Sequence, residues 1–325
     1  MNPADSAAFH LYLGARALEG GIYHYFFDGE AFILREKTPA PLPMYACIAG
    51  GRFYSLLRAP FSDSAQSGVC AWELAPDGSL CRPSPVLPTH GECACHLYVE
   101  NGHIYAANYS SGNIALLPQG LVDQHLAQAD GSKAPHTHCV IPSPDGRFLL
   151  ATDLGRDEIT LYRRPLCPQA VYALPDGSGP RHLCFSEDGT RLYCANELAS
   201  TVSVFSYTDG VLRLLGTYGG VPAGVRGVNA AAALRVRNGQ VLLSHRGMDC
   251  VEVFDALPDG ALAHRQYIDC CGRSPRDFVL HGPWMICTNE LSDSVTCFRQ
   301  DAAGEYHLRQ TLTLPHPLCA VVYAP

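Results

Sequence analysis

Lysine is nearly missing from this chain. Of its 23 lysines and arginines only Lys37 and Lys133 are lysines, so the identity of an arginine says little and its position must carry any argument. A run of basic residues is missing too, and with a formal charge of −8 this speaks against a nucleic-acid surface. No stretch approaches the roughly 18 consecutive apolar residues a membrane span needs. The N-terminal MNPADSAAFHLYLGA has no basic segment leading into an apolar one, so no secretory leader is expected. Neither a serine nucleophile elbow nor a phosphate-binding glycine loop is found, which removes serine-hydrolase and P-loop chemistry. The 15 cysteines are an odd number without framework spacing, unlike a secreted disulfide scaffold. Free thiols packed as small hydrophobes in a cytoplasmic protein are the expectation.

What the chain does contain is a repeat. Strand-turn-strand units read CHLYVENGHIYAANYSSGNIALL from Cys95, HCVIPSPDGRFLLATDLGRDEITLY from His138 and RHLCFSEDGTRLYCANELASTVSVF from Arg181. Two more begin at Ala232 and Arg276, and a fainter copy at Tyr45. The residues after the second strand are Asn108, Asp153, Asn196, His245 and Asn289, spaced 45, 43, 49 and 44 apart. Apolar residues alternate with period two, and a weaker fourth strand follows each unit. Four short antiparallel strands per repeat of this length predict an all-β propeller. FHLYLGA, GIYHYFF and AFILREK at one end and LCAVVYAP at the other supply three strands and one. Joined, they complete a seventh blade and close the ring, so that one propeller spans residues 1–325.

In each antiparallel hairpin the residues before strand one and after strand two meet at the same rim. The innermost strands converge on a central channel, so each blade delivers this junction to one mouth. There the sequence places His96 with Asn108, His138 with Asp153, Arg181 with Glu197, Asn229 with Arg246, and Arg276 with Glu290. His136 and His182 are their neighbours. Asp153, Asn196 and Asn289 are expected to cap turns. Arg181, Glu197 and Arg246 are harder to dismiss, because charges converging on a concave mouth repel unless a ligand completes them. Arginine forks suit phosphate or carboxylate. Glu197 beside His138 or His182 could activate water, and an adjacent cation could hold the oxyanion of an opened ester. The His136-Thr137-His138 spacing puts two imidazoles on one strand face but lacks a third ligand at a metal-site spacing. Neither a protein-bound metal nor another cofactor is therefore expected, with calcium on Glu and Asn oxygens the alternative.

The motifs PHTHCVIPSPDGRFLLATDLGRDEI, GSGPRHLCFSEDGTRLYCANELASTVSVF, SHRGMDCVEVF and SPRDFVL resemble the seven-bladed propeller lactonases. That family includes the propeller type of 6-phosphogluconolactonase and carboxymuconate-cyclising enzymes. The resemblance implies a metal-independent ring-ester enzyme with its site at the channel mouth. It implies His138, Arg181, Glu197 and Arg246 as the catalytic set. His245 departs from the family's usual Asn and Met248 from its His. His96, His136, His182, Asn229, Arg276 and Glu290 are the expected substrate contacts. Hydrolysis of 6-phosphogluconolactone in carbohydrate metabolism is the leading expectation. A muconate-type cyclase and a non-catalytic protein-binding propeller are the rivals. The partner expected is a small anionic lactone rather than nucleic acid or membrane, and the chain is expected as a monomer or weak homo-oligomer. Glu197→Gln and Arg181→Ala are expected to abolish lactone opening with little change in thermal stability.

Overall fold

The computed structural model describes residues 8–16, 20–123, 133–222, 225 and 227–325. Residues 1–7, on which the reading of the N-terminus partly rests, lie outside them. The described residues form strands, turns and bends and no helix. Seven antiparallel sheets follow one another around a ring. The first blade pairs Phe9–Ala15, Gly21–Phe27 and Phe32–Pro39 with the C-terminal Pro317–Tyr323, which is its innermost strand. The ring is closed as the two chain ends predict. Blades 3 to 7 begin with innermost strands Ala94–Glu100, Thr137–Pro142, Pro180–Phe185, Ala230–Arg237 and Pro275–His281. Blade 2, the faint copy, begins with Pro43–Ala49 and carries a fifth strand. Its third strand, Gln66–Leu74, pairs with only two residues of the fourth, Leu80–Cys81, and Leu87–Glu92 adds to the same edge.

The apolar alternation buries one cluster at each blade-to-blade interface. Phe27, Trp284 and Val295 join blades 1 and 7, and Tyr12, Phe53 and Trp72 join blades 1 and 2. Five further clusters fill the other interfaces. The core therefore lies between the sheets and leaves the axis to other residues. All 15 cysteines are free, and burial pushes thiols such as Cys139 up to about 12.

Candidate active site

The hairpin junctions do meet at one rim. Pro180 pairs with Asn196, Pro275 with Asn289 and Ala230 with Arg246, and the Glu197 N–H donates to the Gly179 carbonyl at 2.7 Å. What the repeat did not reveal is a β-bulge at this end of every innermost strand. One extra residue is accommodated at Met44, Cys95, His138, Arg276 and Leu318. Arg181-His182 stands opposite the single residue Ala195, and Ala232-Ala233 opposite Ser244. A bulge breaks the in-out alternation and re-aims side chains. Neighbours in sequence can then face the axis together, and the Arg181 Nη1 lies 2.9 Å from the His182 Nε2. Met44, Cys95, Arg181, His182, Arg276 and Leu318 line the channel here, around a void of about 10 Å³ that holds one water at most.

Glu197 lies between two arginines. Its Oε2 is 2.9 Å from the Arg181 Nε and its Oε1 is 2.9 Å from the Arg246 Nη2. Arg181 is buried and donates to the Ala232 carbonyl at 2.8 Å. Glu290 repeats the arrangement, with the Arg276 Nη1 at 3.3 Å and the Arg16 Nη2 at 3.5 Å. Four guanidiniums on two carboxylates leave two positive charges at the mouth. Burial, against the attraction of Glu197 and with repulsion from Arg246 and Arg276, lowers Arg181 to about 10. The side chains of Glu197, Arg246 and Arg276 keep a little under a fifth of their surface open to solvent.

The histidines separate by depth. His138, His182 and His96 are buried around the axis, with the His138 and His96 rings 5.7 and 5.9 Å from that of His182. Desolvation, reinforced by Arg181, holds His138 and His182 well below the ordinary imidazole value, and His96 is pushed down to about 3 by burial, Arg235 and Arg181. All three are neutral at pH 7, and the His138 Nδ1 has no partner among the described residues. His136 and His138 both pack on the Tyr109 ring, His136 flat on it and His138 edge to face. His136 lies ahead of the strand and His138 on its bulge, the first half-buried and the second buried. His136 stacks on Tyr109 (centroids 4.4 Å, 8° between planes), with its Nδ1 3.0 Å from the Tyr109 carbonyl. Asn229 is spent on structure: its amide nitrogen reaches the Ser200 Oγ and the His245 Nδ1, and its oxygen accepts from the Met248 N–H. The expected caps hold their turns: Asp153 accepts from the His136 and Arg156 N–H groups, and Asn196 donates to Thr201 and Ser203. Among the described residues no three His, Cys, Asp or Glu side chains gather as a metal site.

Several positioning residues went unread. Asp157, four residues after Asp153, accepts from the Gly177 and Gly179 N–H groups and from Lys133, fixing the chain that leads to Arg181. Asp249, four after His245, accepts from the Ser274 N–H at 2.7 Å ahead of Arg276. Asp293, four after Asn289, accepts from the His316 N–H. The shared offset in the repeat was the available signal. Gly247 follows Arg246 at φ +119°, where a Cβ would come 2.3 Å from the Val228 carbonyl, so the turn beside Arg246 requires glycine.

A wider opening of about 470 Å³ lies at the opposite end of the channel, lined by aliphatic residues, Arg235 and Arg237. Arg235 is paired with Asp277 at 2.6 Å, and Arg237 donates to the neutral Gly282 carbonyl and Tyr306 hydroxyl. The cluster of guanidiniums with carboxylates is at the narrow polar mouth.

A closed seven-bladed ring with arginines and carboxylates gathered at one end of its channel defines a seven-bladed β-propeller with a polar axial mouth. The chain belongs to the lactonase family of seven-bladed β-propellers, whose model matches residues 10–322, and is a lactonase. A 6-phosphogluconolactonase of Bacillus subtilis is 27% identical over 326 residues, covering 92% of this chain and 93% of that protein. The periplasmic gluconolactonase of Pseudomonas aeruginosa superimposes with a TM-score of 0.88 at 25% identity over 98% of this chain and 99% of that one. A protein from Lactobacillus plantarum does so at 0.87 and 25% over 98% and 100%.

Proposed function

We propose that this lactonase opens 6-phosphogluconolactone to 6-phosphogluconate at the arginine-lined mouth. The observation that carries this reading is the charge surplus there: Arg181, Arg246, Arg276 and Arg16 share only Glu197 and Glu290. A phosphorylated sugar lactone supplies the missing negative charge, and guanidinium forks bind phosphate in two parallel hydrogen bonds. As phosphate engages one clamp, the carbonyl lies towards the other. There the guanidiniums of Arg181 and Arg246 exchange part of their contact with Glu197 for the oxygen that becomes negative as water adds. Glu197, so released, takes the proton of the attacking water. His138, neutral and with a buried Nδ1 that lacks a partner, accepts a hydrogen bond that aims this water. Its surroundings of arginine disfavour an imidazolium, which suits it to orienting water rather than to storing the proton.

The test is base uptake at constant pH with 6-phosphogluconolactone, corrected for spontaneous opening. Glu197→Gln and Arg246→Ala should each lower turnover by about 10² or more. Equal turnover of the unphosphorylated lactone by the wild type would remove the phosphate assignment, and unchanged turnover in both variants would remove the site. The expectation of unaltered stability needs revision, because Glu197 neutralises the buried Arg181. Glu197→Gln should therefore lower the thermal midpoint, whereas Arg246, on the open side, is the less disruptive position.

A further inference from the structure

We propose that Tyr109 is a further catalytic residue, whose phenolic hydroxyl gives its proton to the ring oxygen as that oxygen departs. The inference rests on the reading of this mouth as the site of lactone hydrolysis and adds the one role left unfilled there. Water addition needs a base, a cation for the oxyanion and a donor for the leaving oxygen. The arginines and Glu197 supply the first two. The three buried histidines nearby are neutral and held among cations, so none is a charged acid at neutral pH.

Tyr109 is the first residue after the second strand of blade 3 and belongs to the same rim. Its ring lies flat on His136 and meets the His138 ring edge to face at 5.9 Å. It is partly exposed, and its hydroxyl has no hydrogen bond to a described residue. Burial raises its pKa, and the charges it senses include the carboxylate of Glu197 on blade 5 and the guanidinium of Arg246 on blade 6. The phenol is therefore protonated at pH 7, and it stands on the same rim as the Arg181–Glu197–Arg246 clamp, near enough to sense the charges of Glu197, Arg246 and Asp153. An unpartnered donor on that rim is free to meet a bound ring.

The step balances as follows. The water oxygen bonds to the carbonyl carbon and gives one proton to Glu197. The ring carbon–oxygen bond breaks, and its electron pair leaves with the ring oxygen, which takes the Tyr109 proton and becomes a hydroxyl. Glu197 returns its proton through water to the phenolate, resetting both groups. The new carboxylic acid ionises and releases the one proton that base uptake records. A phenol is less acidic than a carboxylic acid but far more acidic than a sugar hydroxyl, so the transfer to the leaving oxygen runs downhill.

Tyr109→Phe keeps the ring and its stack on His136 and removes only the hydroxyl. With 6-phosphogluconolactone under base uptake, it should lower kcat by about 10² while KM stays within about threefold. Its thermal midpoint should match the wild type. If kcat is retained, or if only KM rises, Tyr109 is not the donor, while a wild type that still opens the lactone leaves the reading of the site standing. A wild type without activity on the lactone overturns both together.

Discussion

Acid should unfold this protein well before its carboxylates are neutralised, because its axis and first blade bury neutral histidines. His96, His138 and His182 surround the channel, and His24 lies between blades 1 and 2 with its Nε2 2.8 Å from the His10 Nδ1 and its ring stacked on Tyr12. Desolvation comes first in holding each below the ordinary value: His24 falls to about 4, His96 to about 3, and His138 and His182 well below. In the unfolded chain each titrates near 6.5, so the unfolded state binds the extra protons. The associated stability is complete above the unfolded value and is lost as pH falls from about 6.5, the loss continuing to about 4 for His24 and about 3 for His96. Between pH 7 and pH 5 one such group costs about 1.8 kcal/mol, and four cost about 7 kcal/mol. That is comparable with the whole stability of an ordinary folded chain, about 5–15 kcal/mol. Asp153, which burial raises, acts with the opposite sign but chiefly at lower pH. Urea unfolding followed by the fluorescence of the buried Trp72 and Trp284 at pH 7, 6 and 5 measures the effect. His24→Gln should reduce the slope near pH 5 by about one proton, or about 1.4 kcal/mol per pH unit. An unfolding free energy equal at pH 5 and pH 7 would refute the reasoning.

Asp157→Ala leaves the buried Gly179 N–H without its acceptor and should cost about 1–3 kcal/mol in urea unfolding, together with a fall in kcat as Arg181 loses its anchored lead-in. Glu252→Ala leaves the buried His245 Nε2 without the carboxylate 2.9 Å away and should cost about 1–3 kcal/mol. His245→Asn combined with Glu252→Ser, which copies the Asn196–Ser203 pair of blade 5, should lose less than Glu252→Ala alone in the same unfolding assay.

The blade count was legible because one hairpin recurs with period-two alternation and a polar residue at a fixed place, from Asn108 to Asn289. The meeting of Arg181 with Glu197 and of Arg276 with Glu290 was legible for the same reason, since antiparallel pairing brings strand ends together whatever the side chains. The inward turn of both Arg181 and His182 was not legible. Alternation sends neighbours to opposite faces, and the bulge that overrides it is set by how seven strands crowd one axis. The fifth strand of blade 2 was hidden by the shortness of Leu80–Cys81, which leaves an edge for Leu87–Glu92 to cover. Arg16 escaped because its partner Glu290 stands at the other end of the chain and meets it only after ring closure.

Where blades depart from their own repeat, the departure says what that position does. Seven bulges occupy equivalent places, yet Met44, Cys95, Leu318 and Ala232-Ala233 are small or apolar, whereas His138, Arg181-His182 and Arg276 are polar and come from blades 4, 5 and 7. A ring needs a bulge in each blade to relieve crowding, so the bulge itself is architecture. Only the side chain placed on it is free to vary. Blade 6 shows the same division one layer out: the place that holds Asn196 and Ser203 in blade 5, and Asn289 and Thr296 in blade 7, holds His245 and Glu252. That pair is fully buried beside Arg246, with the His245 Nε2 2.9 Å from the Glu252 Oε2 and the His245 Nδ1 2.9 Å from the Asn229 amide nitrogen. Ser200, three residues after Glu197, holds the same Asn229. The Glu197 junction and the Arg246 junction are thus tied through Ser200, Asn229 and His245, and the clamp between them is held from behind.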